Sequence, residues 1–227
     1  NIRYRLLTSF CKKKKIKTIL TAHNLEDQVE TFFIRLSRGS GIHGLSSMRK
    51  NIKIENDINL MRPLLDIKKS QLKKISKIVF GKFYKDPTNK DTRFLRTRIR
   101  NLRKSIEESG INYDQIIQSI NNLASSRDTI ELYFKKIYKN ITKKDSKKIL
   151  INLKQFNNIN EEMKMRVLEK AIKDFTKVYY SSRSKKILYA INQLKAKKNA
   201  KLTLGGCIIF RQKNHIILIK ENKIKRF

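Results

Sequence analysis

The spacing of apolar side chains changes several times along the chain, and each change marks an element. Residues 2–15 carry Tyr4, Leu7 and Phe10 three apart, the pattern of an amphipathic helix. Residues 17–22 form a short apolar run suited to a strand buried in a parallel sheet. Helical spacing returns over 25–37 and is stopped by Gly39. A glycine-rich loop (39–44), a weakly extended stretch (51–65), a helix (68–79), a turn (86–89) and a basic helix (92–109) follow. Residues 113–140 predict one long helix, because Ile116, Ile120, Leu123, Ile130, Phe134 and Ile137 recur at spacings of three, four and seven. A strand over 148–153 and helices over 161–175 and 183–194 come next. The chain closes on three β-type runs (200–204, 207–211 and 215–220), with Gly205-Gly206 as a hairpin turn. The pattern predicts an α/β domain with a partial parallel sheet over 1–108, then a mostly helical domain with a small terminal β-hairpin region over 109–227.

Composition adds one strong constraint. Among 227 residues, 54 Lys and Arg face 19 Asp and Glu, a formal charge of +35. Such an excess favours polyanionic partners, since each phosphate neutralised releases condensed counterions. The same chain is rich in Lys, Asn and Ile together, which spreads part of that charge over solvated positions. Cys11 and Cys207 are the only cysteines, too few for a disulfide framework or zinc site, and read as buried thiols in a reducing cytosol. No apolar run approaches the roughly 18 residues of a membrane helix, and no signal peptide opens the chain. A cytoplasmic protein with no membrane partner is expected. The chain opens on Asn1 inside a helical pattern, which is how a truncated protein begins.

Chemistry concentrates in Thr21-Ala-His-Asn-Leu-Glu-Asp-Gln-Val-Glu-Thr31. His23 follows the first strand, where open α/β sheets present their ligands. Asn24 can cap the next helix, with Glu26 and Asp27 in its first turn. At about 100° per residue, Leu25, Val29, Phe32, Phe33 and Leu36 share one face, while Asp27, Thr31, Arg35 and Arg38 lie on the other. Glu26 and Asp27 can equally well serve only the helix dipole, and the arginines can be merely solvated.

Taken as a set, these residues resemble the second motif of the N-type ATP pyrophosphatase superfamily. The continuation Arg35-Leu-Ser-Arg-Gly-Ser-Gly-Ile-His-Gly-Leu45 is similar to the tRNA(Ile)-lysidine synthetases in particular. So are Arg62-Pro-Leu-Leu65 and Asp86-Pro-Thr-Asn-Lys-Asp91, with Phe94, Arg96, Arg98, Ile99 and Arg100 behind it. The resemblance covers residues 1–108 and is loose beyond them. It implies ligation of lysine to C2 of the wobble cytidine in isoleucine tRNA with a CAU anticodon, through an adenylated tRNA. ATP is the implied cosubstrate, with Mg alongside it; free lysine and the tRNA are the implied partners, and a homodimer is left open. Asp27, His23 and Arg35 are the implied catalytic residues. Glu26, Glu30, Arg38, Arg62, Arg93, Arg96, Arg98, Arg100 and Arg103 are the implied substrate and tRNA contacts. Glu26 departs from the family, which often has aspartate there. The superfamily's Ser-Gly-Gly-x-Asp-Ser phosphate loop is absent from these residues, so an N-terminally truncated and inactive form is expected.

The basic helix supports two readings. Arg93, Arg96, Arg100 and Arg103 form a stripe beside Leu95, Ile99, Leu102 and Ile106. Guanidiniums there suit tRNA phosphates or pyrophosphate, or they pair with acids, of which the neighbouring sequence has few. Lys135, Lys136, Lys143, Lys144, Lys147 and Lys148 extend a tRNA footprint or form a solvated face. Tyr133, Tyr138, Tyr179 and Tyr180 are stacking candidates, and Arg211 and Lys213 sit in the terminal sheet. A tRNA thiolation enzyme of the same superfamily and a non-enzymatic RNA-binding remnant remain the alternatives.

Overall fold

The computed structural model describes residues 2–55, 58–82, 84, 86, 91–176 and 184–221. Pro87, Thr88 and Asn89 of the expected turn, Tyr179, Tyr180 and Arg183 lie outside the described residues. Two compact units divide the chain, residues 1–128 and 129–227.

In the first unit, α1 (Ile2–Lys13) leads into β1 (Thr18–Leu20), then α2 (Leu25–Leu36) and α3 (Ile42–Leu45). Next come β2 (Asn51–Glu55), β3 (Ile58–Met61), α4 (Lys69–Phe80), α5 (Leu95–Asn101), α6 (Arg103–Glu108) and the first turns of α7 (Tyr113–Ile141). The sheet order is β1-β3-β2, with β1 and β3 parallel from Thr18↔Asn59 to Leu20↔Met61 and β2 antiparallel to β3. The expected parallel sheet is therefore present, and the stretch read as weakly extended is a β-hairpin. Val29 of α2 and Tyr113, Ile116 and Ile120 of α7 pack as one buried cluster. The basic helix is two helices, because Leu102 makes a tighter turn in which its N–H reaches both Arg98 and Ile99 carbonyls at 3.2 Å. The glycine-rich loop contains α3, which its composition does not announce.

In the second unit, β4 (Thr142–Lys144) and β5 (Lys148–Asn152) precede α8 (Leu153–Asn158), α9 (Glu161–Thr176) and α10 (Ser184–Ala196). The chain then forms β6 (Lys201–Leu204), β7 (Cys207–Gln212) and β8 (His215–Lys220). All five strands join one antiparallel sheet of order β4-β5-β8-β7-β6. The terminal β region is thus larger than the hairpin expected from sequence: β5 pairs with β8 from Lys148↔Ile219 to Asn152↔His215. β4 was invisible to periodicity because Thr-Lys-Lys has no apolar alternation; its pairing with β5 makes it a strand. Gly205 and Gly206 have φ of 62° and 81°, the left-handed pair a two-residue hairpin requires. Ile149, Ile151, Ile209, Ile216 and Leu218 face α9 and α10 in a core that also holds Phe156 and Cys207. Cys11 and Cys207 are both buried free thiols, as expected, and burial pushes Cys207 up to about 11. Among the described residues no helix is long and apolar enough to cross a membrane.

Phe156 is 1 % exposed and anchors a helix of six residues. Phe156→Ala should therefore cost about 3–5 kcal/mol in urea unfolding. A loss below about 1 kcal/mol would mean that α8 does not hold this core.

Candidate active site

β1 ends at Leu20, and the chain turns through Thr21 to Asn24 before α2 begins. Asn24 Oδ1 accepts the Asp27 N–H at 3.1 Å, and Asp27 Oδ2 accepts the Asn24 N–H at 3.0 Å. This reciprocal capping box fixes the Asp27 carboxylate at the positive end of the helix. Its other oxygen lies 3.5 Å from Arg100 Nη2. Glu26 Oε2 accepts the Lys69 N–H at 2.8 Å and so caps α4, with Arg103 Nη1 4.0 Å from Oε1.

One turn further on, the Glu30 side chain is only 4 % exposed. The fork of Arg100 grips it through Nε to Oε1 and through Nη2 to Oε2 at 3.1 Å. Arg96 Nε stands 3.0 Å from Oε2 as an ion pair without hydrogen-bond alignment, and its Nη2 reaches Thr31 Oγ1 at 3.4 Å. Burial pushes the Glu30 carboxyl above its usual range, against the hydrogen bonds and charge of Arg100. Burial outweighs the pairing because Glu30 is far less exposed than Arg100, at 4 % against 28 %.

The acidic side of α2 therefore faces α5 instead of open solvent. Helical spacing separates the two faces correctly, but it cannot say that a second helix covers the polar one. Leu36, assigned to the core face, is 48 % exposed. Arg96 and Arg100 of the arginine stripe find their acid on α2, in Glu30, 66 and 70 residues earlier. Arg93 pairs with Asp91 at 2.7 Å, and Arg103 pairs with Glu107 at 2.8 Å while its guanidinium lies 4.4 Å from the centre of the Tyr113 ring. Arg98 points elsewhere, exposed and paired with none of the described residues.

Arg35 lies away from Asp27 and clamps the loop behind α2. Its Nη1 donates to the Gly44 carbonyl at 2.7 Å and to the Ser47 carbonyl at 2.9 Å. Gly44 has no room for a Cβ, which would collide with Ser40. The buried Gln28 amide bonds both the N–H and the carbonyl of Met48, at 2.8 and 3.0 Å. Ser47 holds a left-handed φ of 56° and donates to the Gln28 carbonyl at 2.8 Å. Arg127, 6 % exposed, donates to Ser46 Oγ at 2.9 Å. Gln28, Ser46, Ser47 and Arg127 were not among the residues picked out by sequence. Beside this loop, Arg49, Lys50, Asp66, Asn121 and Arg127 help line a cleft of about 310 Å³.

A positive field gathers here. Arg62 is 7 % exposed; its Nη1 donates to the Arg49 carbonyl at 2.7 Å, and its buried Nε has no partner among the described residues. Burial lowers the Arg35 guanidinium, and Arg62, Arg127 and the exposed Arg38 push the same way. His23 is half-buried with Nδ1 3.0 Å from Thr21 Oγ1. Burial lowers its pKa; Asp27 opposes this, and Arg62, Arg96 and Arg3 reinforce it. The imidazole is thus neutral at pH 7, able to donate or accept a hydrogen bond. Among the described residues no three His, Cys, Asp or Glu side chains are grouped to hold a metal.

Residues 1–105 match the sequence profile of the PP-loop domain. The matched residues fall within the first unit. Over nearly its full length the chain is also similar to proteins named tRNA(Ile)-lysidine synthase. That of Wolbachia pipientis wMel is 32 % identical over 222 residues, 97 % of this chain and 51 % of the relative. That of Orientia tsutsugamushi is 32 % identical over 237 residues, 96 % of this chain and 51 % of the relative. That of Ruegeria pomeroyi is 27 % identical over 221 residues, 97 % of this chain and 52 % of the relative. The chain spans about half the length of these curated relatives.

Two outcomes follow for the first unit. Arg100→Ala and Glu30→Gln should each destabilise it by about 2–3 kcal/mol, with a coupling of about 1–3 kcal/mol in the double-mutant cycle; additive losses would show that the pair is not the latch. In an imidazole NMR titration, His23 should titrate below its ordinary value of 6.5. Arg62→Met should raise that midpoint and Asp27→Asn should lower it. A midpoint above 6.5 in the unaltered chain contradicts the neutral imidazole.

Proposed function

We propose that this chain belongs to an ATP-dependent ligase that joins free lysine to C2 of the wobble cytidine of isoleucine tRNA with a CAU anticodon. The reading is carried by one arrangement: a helix-start carboxylate, Asp27, beside a neutral His23, with Arg62, its Nε unsatisfied among the described residues, acting on both His23 and Arg35. It is supported by the PP-loop domain and by the names of the relatives.

Adenylation of the C2 oxygen releases pyrophosphate; the lysine amine then bonds C2 as the C2–O bond to AMP breaks, and the ammonium protons must leave. Asp27 is suited to orient that ammonium and accept a proton, because the capping box holds one oxygen while the other meets Arg100 at the longer distance of 3.5 Å. His23, uncharged, can hydrogen-bond a phosphate or the developing adenylate without adding charge. Crowded guanidiniums gain most from an anion, and the orphaned Arg62 Nε fits a phosphate oxygen. Arg35 contributes through its charge and by holding the 39–48 loop, since Nη1 is committed to two carbonyls. Glu30, Arg96 and Arg100 position Asp27 by fixing α5 against α2. Arg38 and Arg98, exposed, are the better tRNA phosphate contacts. ATP fits this field; Mg would be carried mainly by the phosphates.

The test is to express the whole reading frame that contains these residues and supply ATP, labelled lysine and a CAU-anticodon isoleucine tRNA transcript. Lysine should appear on the tRNA by nuclease digestion and mass spectrometry, and Asp27→Asn should slow it by about 100-fold or more. Bound tRNA that never gains lysine would favour the RNA-binding alternative, to which the +35 charge also points. Sulfur incorporation would favour thiolation, although both cysteines are buried.

A further inference from the structure

Residues 44–49 form a short seat for two arginines of the candidate site. Arg35 Nη1 donates to the carbonyls of Gly44 and Ser47, and Arg62 Nη1 donates to the carbonyl of Arg49. Where this segment sits therefore decides where both guanidiniums sit. One side of it is fastened by α2: the Gln28 amide holds Met48, and the Gln28 carbonyl accepts the Ser47 hydroxyl. Those bonds reach residues 47 and 48 and leave Ser46 and Arg49 to other partners.

The other side is fastened by α7. Arg127 Nη1 donates to Ser46 Oγ at 2.9 Å, and the Ser46 hydroxyl donates to the His43 carbonyl at 3.2 Å. Arg127 Nε donates to Asp128 Oδ1 at 2.9 Å, and the same oxygen accepts Arg49 Nη2 at 3.3 Å. The hydrogen bond from Arg127 holds the Asp128 carboxyl below its usual range against slight burial, and the charge of Arg49 adds to that pull. All of these residues belong to the first unit. Arg127 is 6 % exposed, on the apolar stripe of α7. An apolar side chain of that volume is often as stable in such a place or more so. What the guanidinium adds is register, because its planar fork accepts one placement of Ser46 and Asp128.

We infer that Arg127 and Asp128 are positioning residues for the lysine ligation: from α7 they hold residues 44–49 so that Arg35 and Arg62 present their charge to the phosphate groups. Arg127 spends Nε and Nη1 within the protein, so it acts through the two arginines and not on substrate. Both residues lie beyond residues 1–105, which match the PP-loop profile. The inference rests on the ligase reading above and adds to it the helix that sets its arginines.

The experiment reads Arg62 through His23 in the full chain. The charges that act on His23 are those of Asp27, Arg62, Arg96 and Arg3. S46A removes the acceptor of Arg127 without altering any charge, so its effect on His23 comes through geometry. In an imidazole NMR titration, R127M and S46A should each raise the His23 midpoint by about 0.3 or more as Arg62 loosens. The double variant should rise no further than R127M alone. R166M, which removes an arginine paired with Glu162 at 2.7 Å in the second unit, should leave the midpoint in place. In the whole reading frame, supplied with ATP, lysine and the tRNA transcript, R127M should lower kcat about tenfold or more, with KM for lysine within about twofold. R127K, which keeps the charge and one of the two bonds, should recover part of that loss. If R127M does not fold, S46A and R127K carry the same comparison. Variants that melt earlier yet keep the His23 midpoint and kcat make Arg127 a structural residue only and overturn the inference. An unaltered protein that joins no lysine sinks the ligase reading; a midpoint that still rises in S46A then leaves the hold on Arg62 standing.

Discussion

Glu30 lies on the face of α2 that packs toward α5, and its carboxylate can be buried there only because Arg96 and Arg100 bring two guanidiniums to it. An unpaired carboxylate in that place would cost several kcal/mol, so α5 must sit where its arginines reach. Everything else on this side of the unit follows. Arg100 also comes within 3.5 Å of Asp27, Arg96 meets Thr31, and Arg103 at the start of α6 approaches Glu26. Helical spacing then turns Arg98 outward. Apolar side chains of similar volume would pack α2 against α5 about as well. What the ion pair adds is register: a carboxylate and a planar fork accept only one arrangement.

The other side of α2 is organised by the opposite problem. Arg35, Arg62, Arg127 and Arg38 crowd one another. Backbone carbonyls of residues 44, 47 and 49 satisfy donors of Arg35 and Arg62 without cancelling their charge, while Arg127 donates to the Ser46 hydroxyl and pairs with Asp128 at 2.9 Å. His23 responds by remaining neutral. Ser47 accepts a left-handed backbone, a strain of about 1 kcal/mol, because side-chain hydrogen bonds from Arg35, Gln28 and Arg127 converge on it and its neighbours. Arg35 and Arg62, whose side chains meet backbone carbonyls and no carboxylate among the described residues, and the buried Arg62 Nε left without a partner among them, are arranged for an anion.

Much of this was legible beforehand where local chemistry decides the outcome. Asn24 as cap, Asp27 in the first turn, β1 as a strand and α7 as one long helix all follow from spacing and cap residues within a few positions; the burial expected of β1 does not, since Leu20 is 65 % exposed. Pairings across 65 or more residues were not legible: the stripe of α5 looked short of acids because its acids are on α2. β4 and α3 owe their existence to tertiary contacts that composition does not encode. The second unit's sheet was underestimated because pairing β5 with β8 joins residues far apart in sequence. The change of unit at residue 128 has no sequence mark, since the apolar repeat of α7 runs through it. One signal was available and unused. Arg127 falls seven residues after Ile120 on that apolar stripe, and a cation on a buried stripe needs partners, here the buried Ser46 hydroxyl and the Asp128 carboxylate.

The net charge of +35 sets an upper bound on electrostatic partnership, because cations already committed within the protein have little left to exchange. Arg93, Arg96, Arg100 and Arg103 are matched to carboxylates. Arg35, Arg62 and the buried Lys164 are tied to backbone carbonyls, and they retain charge but lose reach. Counterion release requires a mobile, hydrated ammonium or guanidinium that trades its small ions for phosphate. Arg38, Arg98, Lys147 and Lys220, whose side chains pair with no acid among the described residues, meet that condition. Lysine-rich composition therefore identifies the kind of partner, while the location of contact is decided by which cations the fold leaves unmatched.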